Sequence, residues 1–197
     1  MKLCVFQGTF NPIHNVHLAM ANYVNNICDF DTILFIPAYK PPHKEIDDEL
    51  STHRFQMVKL AIEGETSFNI SNIEYQNERF SYTYLTILEL YKRYNVTGKV
   101  SFIIGSDAFG EVLDWYETDK LKNLVHFIIF PRGNDIDKDR LVLMNSKGYK
   151  FSLAKMKPIN LSSTMLRERI EKGNSVASFV PAKVLEYIKE HGLYQEQ

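Results

Sequence analysis

Leu3-Cys-Val-Phe-Gln-Gly8-Thr-Phe-Asn-Pro12-Ile-His14-Asn-Val-His17-Leu18 decides how the rest of the chain is read. Leu3–Phe6 is a short apolar run with the character of a strand. It leads into Gly8 and Thr9, then Phe10, Asn11 and Pro12, and an apolar-periodic segment begins at Leu18. That order reads as strand, tight turn, helix start. In an open α/β sheet, ligands sit in the crevice outside the carboxyl ends of the strands. Gly8 lets backbone approach a ligand closely, and the following helix offers free N–H groups and a positive dipole end to phosphate. His14 and His17, three apart, share one face of the first helical turn and can address a single anion. The alternative, a metal half-site, has no cysteine or carboxylate beside the pair to complete a zinc set. The stretch predicts the phosphate end of a nucleotide site.

Composition bounds the rest. At 197 residues, 45% hydrophobic and 24% charged, the chain has the make-up of one globular domain with a sizeable core. A net charge of −1 exerts no general pull on nucleic acid or an acidic membrane, so any polyanion site must be a local pocket. Cys4 and Cys28 read as free thiols of a reducing compartment, and no leader or membrane-spanning run is read, which makes the cytoplasm the expected location.

Strand and helix alternate along the chain. Strands are expected at Leu3–Phe6, Thr32–Pro37, Phe68–Ser71, Lys99–Ile104, Val125–Phe130 and near Tyr149–Leu153. Thr32–Pro37 is continuously apolar, as a strand buried on both faces should be. Helices are expected over Asn15–Ile27, from a Ser51 cap, over Thr83–Tyr94 with Leu85, Leu88 and Tyr91 on one stripe, and from near Ser162 and Pro181. Gly133–Gly148 is polar and charged at its start, and a surface helix with loops is the reading for it. Such alternation predicts an α/β fold, a Rossmann-like, doubly wound parallel sheet with helices on both faces.

Polar clusters follow several of these strands. Lys40, His43 and Lys44 lie in a loop stiffened by Pro41 and Pro42, and suit a phosphate, though solvated surface lysines would look the same. Ser81 or Thr83 can cap a helix, as can Asp107 after Gly105. Trp115 and Tyr116 are aromatic cover unless a ring-shaped ligand stacks there. Ser162 and Ser163 open a helix with free N–H groups, and Arg167 follows within its first turns.

Taken together these segments resemble a known family. Gly8-Thr-Phe-Asn-Pro-Ile-His-Asn-Val-His17 is similar to the Gly-x-Phe-x-Pro-x-His-x-x-His signature of nucleotidyltransferases, relatives in fold of the class I aminoacyl-tRNA synthetases. Leu161-Ser-Ser-Thr-Met-Leu-Arg167 resembles the superfamily's Ile-Ser-Ser-Thr-x-x-Arg. Pro41-Pro-His-Lys44, Ser81-Tyr-Thr83 preceded by Glu78-Arg79, Gly105-Ser-Asp107, Trp115-Tyr116, Pro131-Arg132 and the tail Tyr187–Tyr194 resemble the nicotinate mononucleotide adenylyltransferase branch, over nearly the whole chain. Gln7, Asn11 and Val16 depart from the usual Gly, acid and Gly at their positions, and Leu161 replaces Ile.

The resemblance implies a single nucleotidyltransferase domain over residues 1–197, the helices from about 162 completing the ATP site. It implies catalytic roles for His14, His17 and Arg167. ATP would be bound by these three with Gly8, Thr9, Phe10, Gly105, Asp107, Ser162, Ser163 and Thr164. The mononucleotide would be bound by Lys40, His43, Lys44, Tyr82, Thr83, Trp115, Tyr116 and Arg132. Mg²⁺ is expected to arrive with ATP, without dedicated protein ligands, and homo-oligomerisation is left open. The rivals are nicotinamide mononucleotide and phosphopantetheine adenylyltransferases, and a nucleotide- or RNA-binding module without turnover. A Rossmann dehydrogenase ranks below these, for want of Gly-x-Gly-x-x-Gly after the first strand.

Overall fold

A computed structural model describes residues 1–42, 48–76, 80–132 and 137–195. Six parallel strands form one sheet in the order β3-β2-β1-β4-β5-β6. They are β1 (Leu3–Gly8), β2 (Thr32–Pro37), β3 (Phe68–Ile70), β4 (Val100–Gly105), β5 (Val125–Phe130) and β6 (Phe151–Leu153). β1 pairs with β2 in register from Leu3↔Thr32 to Gly8↔Pro37, and with β4 on its other side at Cys4↔Ser101 and Val5↔Phe102. Strand order reverses at β1, so the crevice lies between the ends of β1 and β4.

Period-two side chains divide the core. Cys4, Phe6, Ile33, Phe35, Ile103 and Ile128 pack on one face, against α1 (Asn15–Ile27), α2 (Asp48–Ala61), α7 (Ser163–Glu171) and α8 (Ala182–Glu190). Val5, Leu34, Ile36, Phe102, Ile104, Phe127 and Ile129 pack on the other, against α3 (Thr83–Arg93), α4 (Ser106–Gly110), α5 (Thr118–Leu124) and α6 (Lys138–Ser146). Both faces being covered, β2 is buried along its whole length.

Several local expectations are corrected. β1 runs on to Gly8, and β6 starts at Phe151, the Tyr149 N–H being used at the end of α6, where it donates to the Met144 carbonyl at 3.1 Å. α2 begins at Asp48, so Ser51 is a buried residue inside the helix instead of its cap. The buried stripe of α3 is Thr86, Ile87 and Leu90, with Leu85, Leu88 and Tyr91 half-buried beside it. α4, α5 and the 3₁₀ turns at Ile73–Gln76 and Val112–Asp114 were not expected. Within Gly133–Gly148 a helix does form, its start capped by Asp137, whose carboxylate accepts from the Arg140 N–H. Cys4 and Cys28 are free, and among the described residues no helix is long and apolar enough to cross a membrane.

Candidate active site

A cavity of about 930 Å³ opens at the carboxyl ends of β1 and β4. Its floor is the β1–α1 turn. Phe10 sits there with φ +48°, its ring edge-on to Phe6 at 5.3 Å and to His17 at 5.1 Å. A Cβ on Gly8 would stand 3.1 Å from Cζ of Phe10, so the turn folds over a glycine for lack of room.

His14 and His17 stack with ring centroids 3.6 Å apart and planes 20° from parallel. The backbone N–H of His14 donates to Nδ1 of His17 at 3.2 Å, which leaves the His17 proton on Nε2. His14 is 1% exposed and both of its ring nitrogens are buried without a partner among the described residues. Burial first, then the Arg132 charge, lowers the His14 pKa from 6.5 to about 3. Burial, His14 and Arg132 hold His17 well below its usual range. His14 is thus a neutral imidazole whose two nitrogens have no partner among the described residues, placed beside the positive charge of Arg132. An unsatisfied buried polar group costs about 1–3 kcal/mol, a cost that an acceptor at the ring edge would relieve.

A pH dependence follows. Between about 6.5 and 3 the unfolded chain protonates His14 while the folded chain does not. Stability is therefore full above pH 6.5 and is lost as pH falls, by about 1.4 kcal/mol per pH unit for each such group. Glu74, raised by burial, works in the opposite sense, so the comparison that isolates the histidine is wild type against His14→Leu. Thermal melts from pH 7.5 to 5 are expected to fall more steeply for wild type; equal slopes would remove the argument.

α7 closes the phosphate end from far along the chain. Ser162 caps it, Oγ accepting from the Met165 N–H at 3.2 Å, and Ser163 Oγ donates to the Pro12 carbonyl at 3.0 Å. Arg167 donates to the Asn11 carbonyl at 2.9 Å and to Thr164 Oγ1 at 3.3 Å. Tyr194 OH donates to Asn11 Oδ1 at 2.6 Å. The hydroxyl proton of Ser163 is thus committed to the protein, and the phosphate donors that α7 offers are its first backbone N–H groups, the Ser162 hydroxyl and the rest of the Arg167 fork.

At the end of β4, Asp107 folds back over Gly105. A Cβ on that glycine would run into the carboxylate and lie 3.1 Å from Arg132 Nε. Arg132 pairs with Asp107 at 3.6 Å and its N–H donates to Ser106 Oγ at 2.9 Å. Grouped in the sequence with the mononucleotide residues, Arg132 stands beside Asp107 and acts electrostatically on both histidines.

The opposite end is aromatic. Lys40 N–H donates to Ser81 Oγ at 3.1 Å and Ser81 N–H donates to the Lys40 carbonyl at 2.8 Å. Ser81 is thereby a clamp on the Lys40 loop, and the residue at the start of α3 is Tyr82, which makes no side-chain cap. Tyr82 lies 4.7 Å from Tyr116, while Thr83 and Trp115 line the cavity. His43, Lys44, Glu78 and Arg79 lie outside the described residues.

Two residues escaped the sequence reading. Arg54 in α2 is fully buried, and Glu74, in the 3₁₀ turn Ile73–Gln76, is 7% exposed. The available signal was Arg54's position among Leu50, Met57, Val58 and Ala61, on the helix's apolar side.

This sheet order, with stacked imidazoles at the first strand-to-helix turn and a serine-capped helix with arginine opposite, defines a nucleotidyltransferase of the cytidylyltransferase-like class, whose family profile matches residues 5–169. A probable nicotinate-nucleotide adenylyltransferase of Caldicellulosiruptor saccharolyticus is 40% identical over 100% of both chains. The nicotinate-nucleotide adenylyltransferase of Bacillus subtilis is 38% identical over 98% of both. In fold, the chain matches the Plasmodium falciparum nicotinic acid mononucleotide adenylyltransferase complexed with NaAD, with a TM-score of 0.81 at 22% identity, over 98% of this chain and 97% of that one. The chain belongs to the nicotinate-nucleotide adenylyltransferase family.

Proposed function

We propose that the protein transfers the adenylyl group of ATP to nicotinate mononucleotide, giving deamido-NAD and pyrophosphate as a step of NAD biosynthesis. The observation that carries this reading is the pair of neutral, unpartnered His14 nitrogens and the Nε2 donor of His17, facing a serine-capped helix with Arg167. It is supported by relatives of that name at 38–40% identity over the whole chain.

The chemistry asks for little covalent help. The attacking group is a phosphate oxygen, mostly ionised at neutral pH because its second pKa is about 6, so it needs no general base. It attacks the α-phosphorus in line, a P–O bond to the mononucleotide forms, and the bond to pyrophosphate breaks. The barrier lies in bringing two anions together and in the charge that builds on the α-phosphate and leaving pyrophosphate. Fixed donors lower that barrier. His14 and His17 would donate to the α-phosphate oxygens, and Arg167, the Ser162 hydroxyl and the first N–H groups of α7 to the pyrophosphate. Lys40, with His43 and Lys44 beyond the described residues, would meet the mononucleotide phosphate. Thr83, Trp115 and the Tyr82–Tyr116 pair would flank the pyridine ring.

Mg²⁺ enters this scheme on ATP, as part of the substrate. Imidazole, hydroxyl and guanidinium groups suit phosphate oxygens, whereas a hard cation selects oxygen anions. The ion would neutralise phosphate charge, and the donors above do the positioning. The reaction is assigned to the cytoplasm, where ATP and free thiols such as Cys4 and Cys28 coexist.

The test is pyrophosphate release from purified protein with ATP and Mg²⁺, with the acid and the amide mononucleotide offered in parallel. Release with the acid is expected. Release with the amide alone would move the substrate, and silence with both would end the assignment.

A further inference from the structure

Arg54 is the largest fully buried side chain among the described residues. Its guanidinium donates to three carbonyls: Nη1 to Thr9 at 2.7 Å and Ala38 at 2.6 Å, Nη2 to Tyr39 at 3.1 Å. Thr9 follows β1 in the phosphate turn. Ala38 and Tyr39 follow β2 and lead directly into Lys40. One planar group thus holds the backbones of both loops, each presenting one substrate.

The Ala38–Tyr39 peptide unit is held from its other side as well. Its carbonyl takes Arg54, and its N–H donates to Glu74 Oε2 at 3.2 Å. Glu74 Oε1 accepts from Thr86 Oγ1 at 2.7 Å, and from Gln7 Nε2 in β1. Guanidinium on the oxygen side and carboxylate on the nitrogen side polarise the peptide in the same direction, so each strengthens the other's bond. Charges are rarely buried without a partner. Here the two charges meet through a peptide, and that peptide belongs to the loop whose position matters.

We propose that Arg54 and Glu74, joined through the Ala38–Tyr39 peptide, are positioning residues that set the distance and angle between the two bound phosphates. This rests on the adenylyl-transfer reading. In-line attack tolerates little error: a displacement of about 1 Å costs about 100-fold in rate. Each loop can still bind its own substrate when the link is cut, because the groups that would contact ATP and mononucleotide stay on their own loops. The link acts on turnover.

The test is Arg54→Lys, which keeps the charge but replaces a rigid fork with a flexible point donor. The expected result is a kcat lower by about 100-fold, with KM for ATP and for nicotinate mononucleotide each within about threefold of wild type. A lower melting temperature with wild-type kcat would make Arg54 a frame residue only and overturn the proposal. So would a rise in one KM with kcat intact. Glu74→Gln, which turns two of the acceptor positions into donors, should show the same split. The double variant should lose no more than about the worse single one, because both cut one link; multiplying losses would overturn the bridge. Should Arg54→Lys fail to fold, Glu74→Gln is judged by the same split. Wild-type pyrophosphate release is the control: an inactive wild type removes both readings, an active one without the split removes only this one.

Discussion

Replacing His14 by leucine is expected to lower turnover about a thousandfold while leaving the protein at least as stable at neutral pH. The two effects separate because the ring earns nothing for the ligand-free fold. Both nitrogens are buried without partners among the described residues, and the pKa lowered to about 3 by burial shows how strongly the site disfavours charge there. Leucine fills a similar volume and removes the unsatisfied atoms, so the desolvation cost of about 1–3 kcal/mol disappears. The transition state loses a donor aimed where charge develops, and a single such donor is worth about 100- to 1000-fold in kcat. The measurement is kcat from pyrophosphate release alongside a thermal melt at pH 7.5. Loss of activity together with a large drop in melting temperature would mean that the ring holds up the turn and that its catalytic assignment fails.

Arg167→Met should reduce kcat/KM for ATP about 100-fold or more, with KM for the mononucleotide little changed. The guanidinium uses two of its donors on the Asn11 carbonyl and the Thr164 hydroxyl. Those bonds hold its plane fixed, leaving the rest of the fork for pyrophosphate oxygens at no ordering cost on binding. Arg167→Lys would keep the charge and lose the fixed plane, and an intermediate loss is expected. Substrate-velocity curves with each substrate varied in turn decide it. Unchanged ATP kinetics for Arg167→Met would reduce the residue to a tie between α7 and the first turn.

The fold was readable because burial on both faces of a parallel sheet leaves continuous apolar runs. Thr32–Pro37, Lys99–Ile104 and Val125–Phe130 stand out for that reason, His14 and His17 by their spacing of three, and Arg167 only through the resemblance of Leu161–Arg167 to the superfamily's signature. What was missed has physical reasons too. α5 buries a single helical residue, Leu121, so no periodicity marks Thr118–Leu124. Ser51 and Ser81 looked like caps because serine commonly is one, but one lies inside a helix and the other clamps a loop. α3 turned its stripe toward Thr86 because that hydroxyl has Glu74 to bond. Arg54 and Glu74 stayed hidden because a lone charged residue in a helix or turn normally faces water, and only tertiary structure brings their shared peptide between them.

The bond from Tyr194 to Asn11 spans 183 positions of the chain, and those from Arg167 and Ser163 to the same turn span 156 and 151. During synthesis the whole six-stranded sheet can emerge and assemble before any of these contacts exists. The phosphate turn precedes α7 and α8 in the chain, so it stays uncapped until those helices have followed it. Completing the site and covering the sheet are therefore one event: a chain ending after β6 would leave the Cys4, Phe6 and Phe35 face without Leu166, Val184 and Ile188, and the phosphate turn without Arg167.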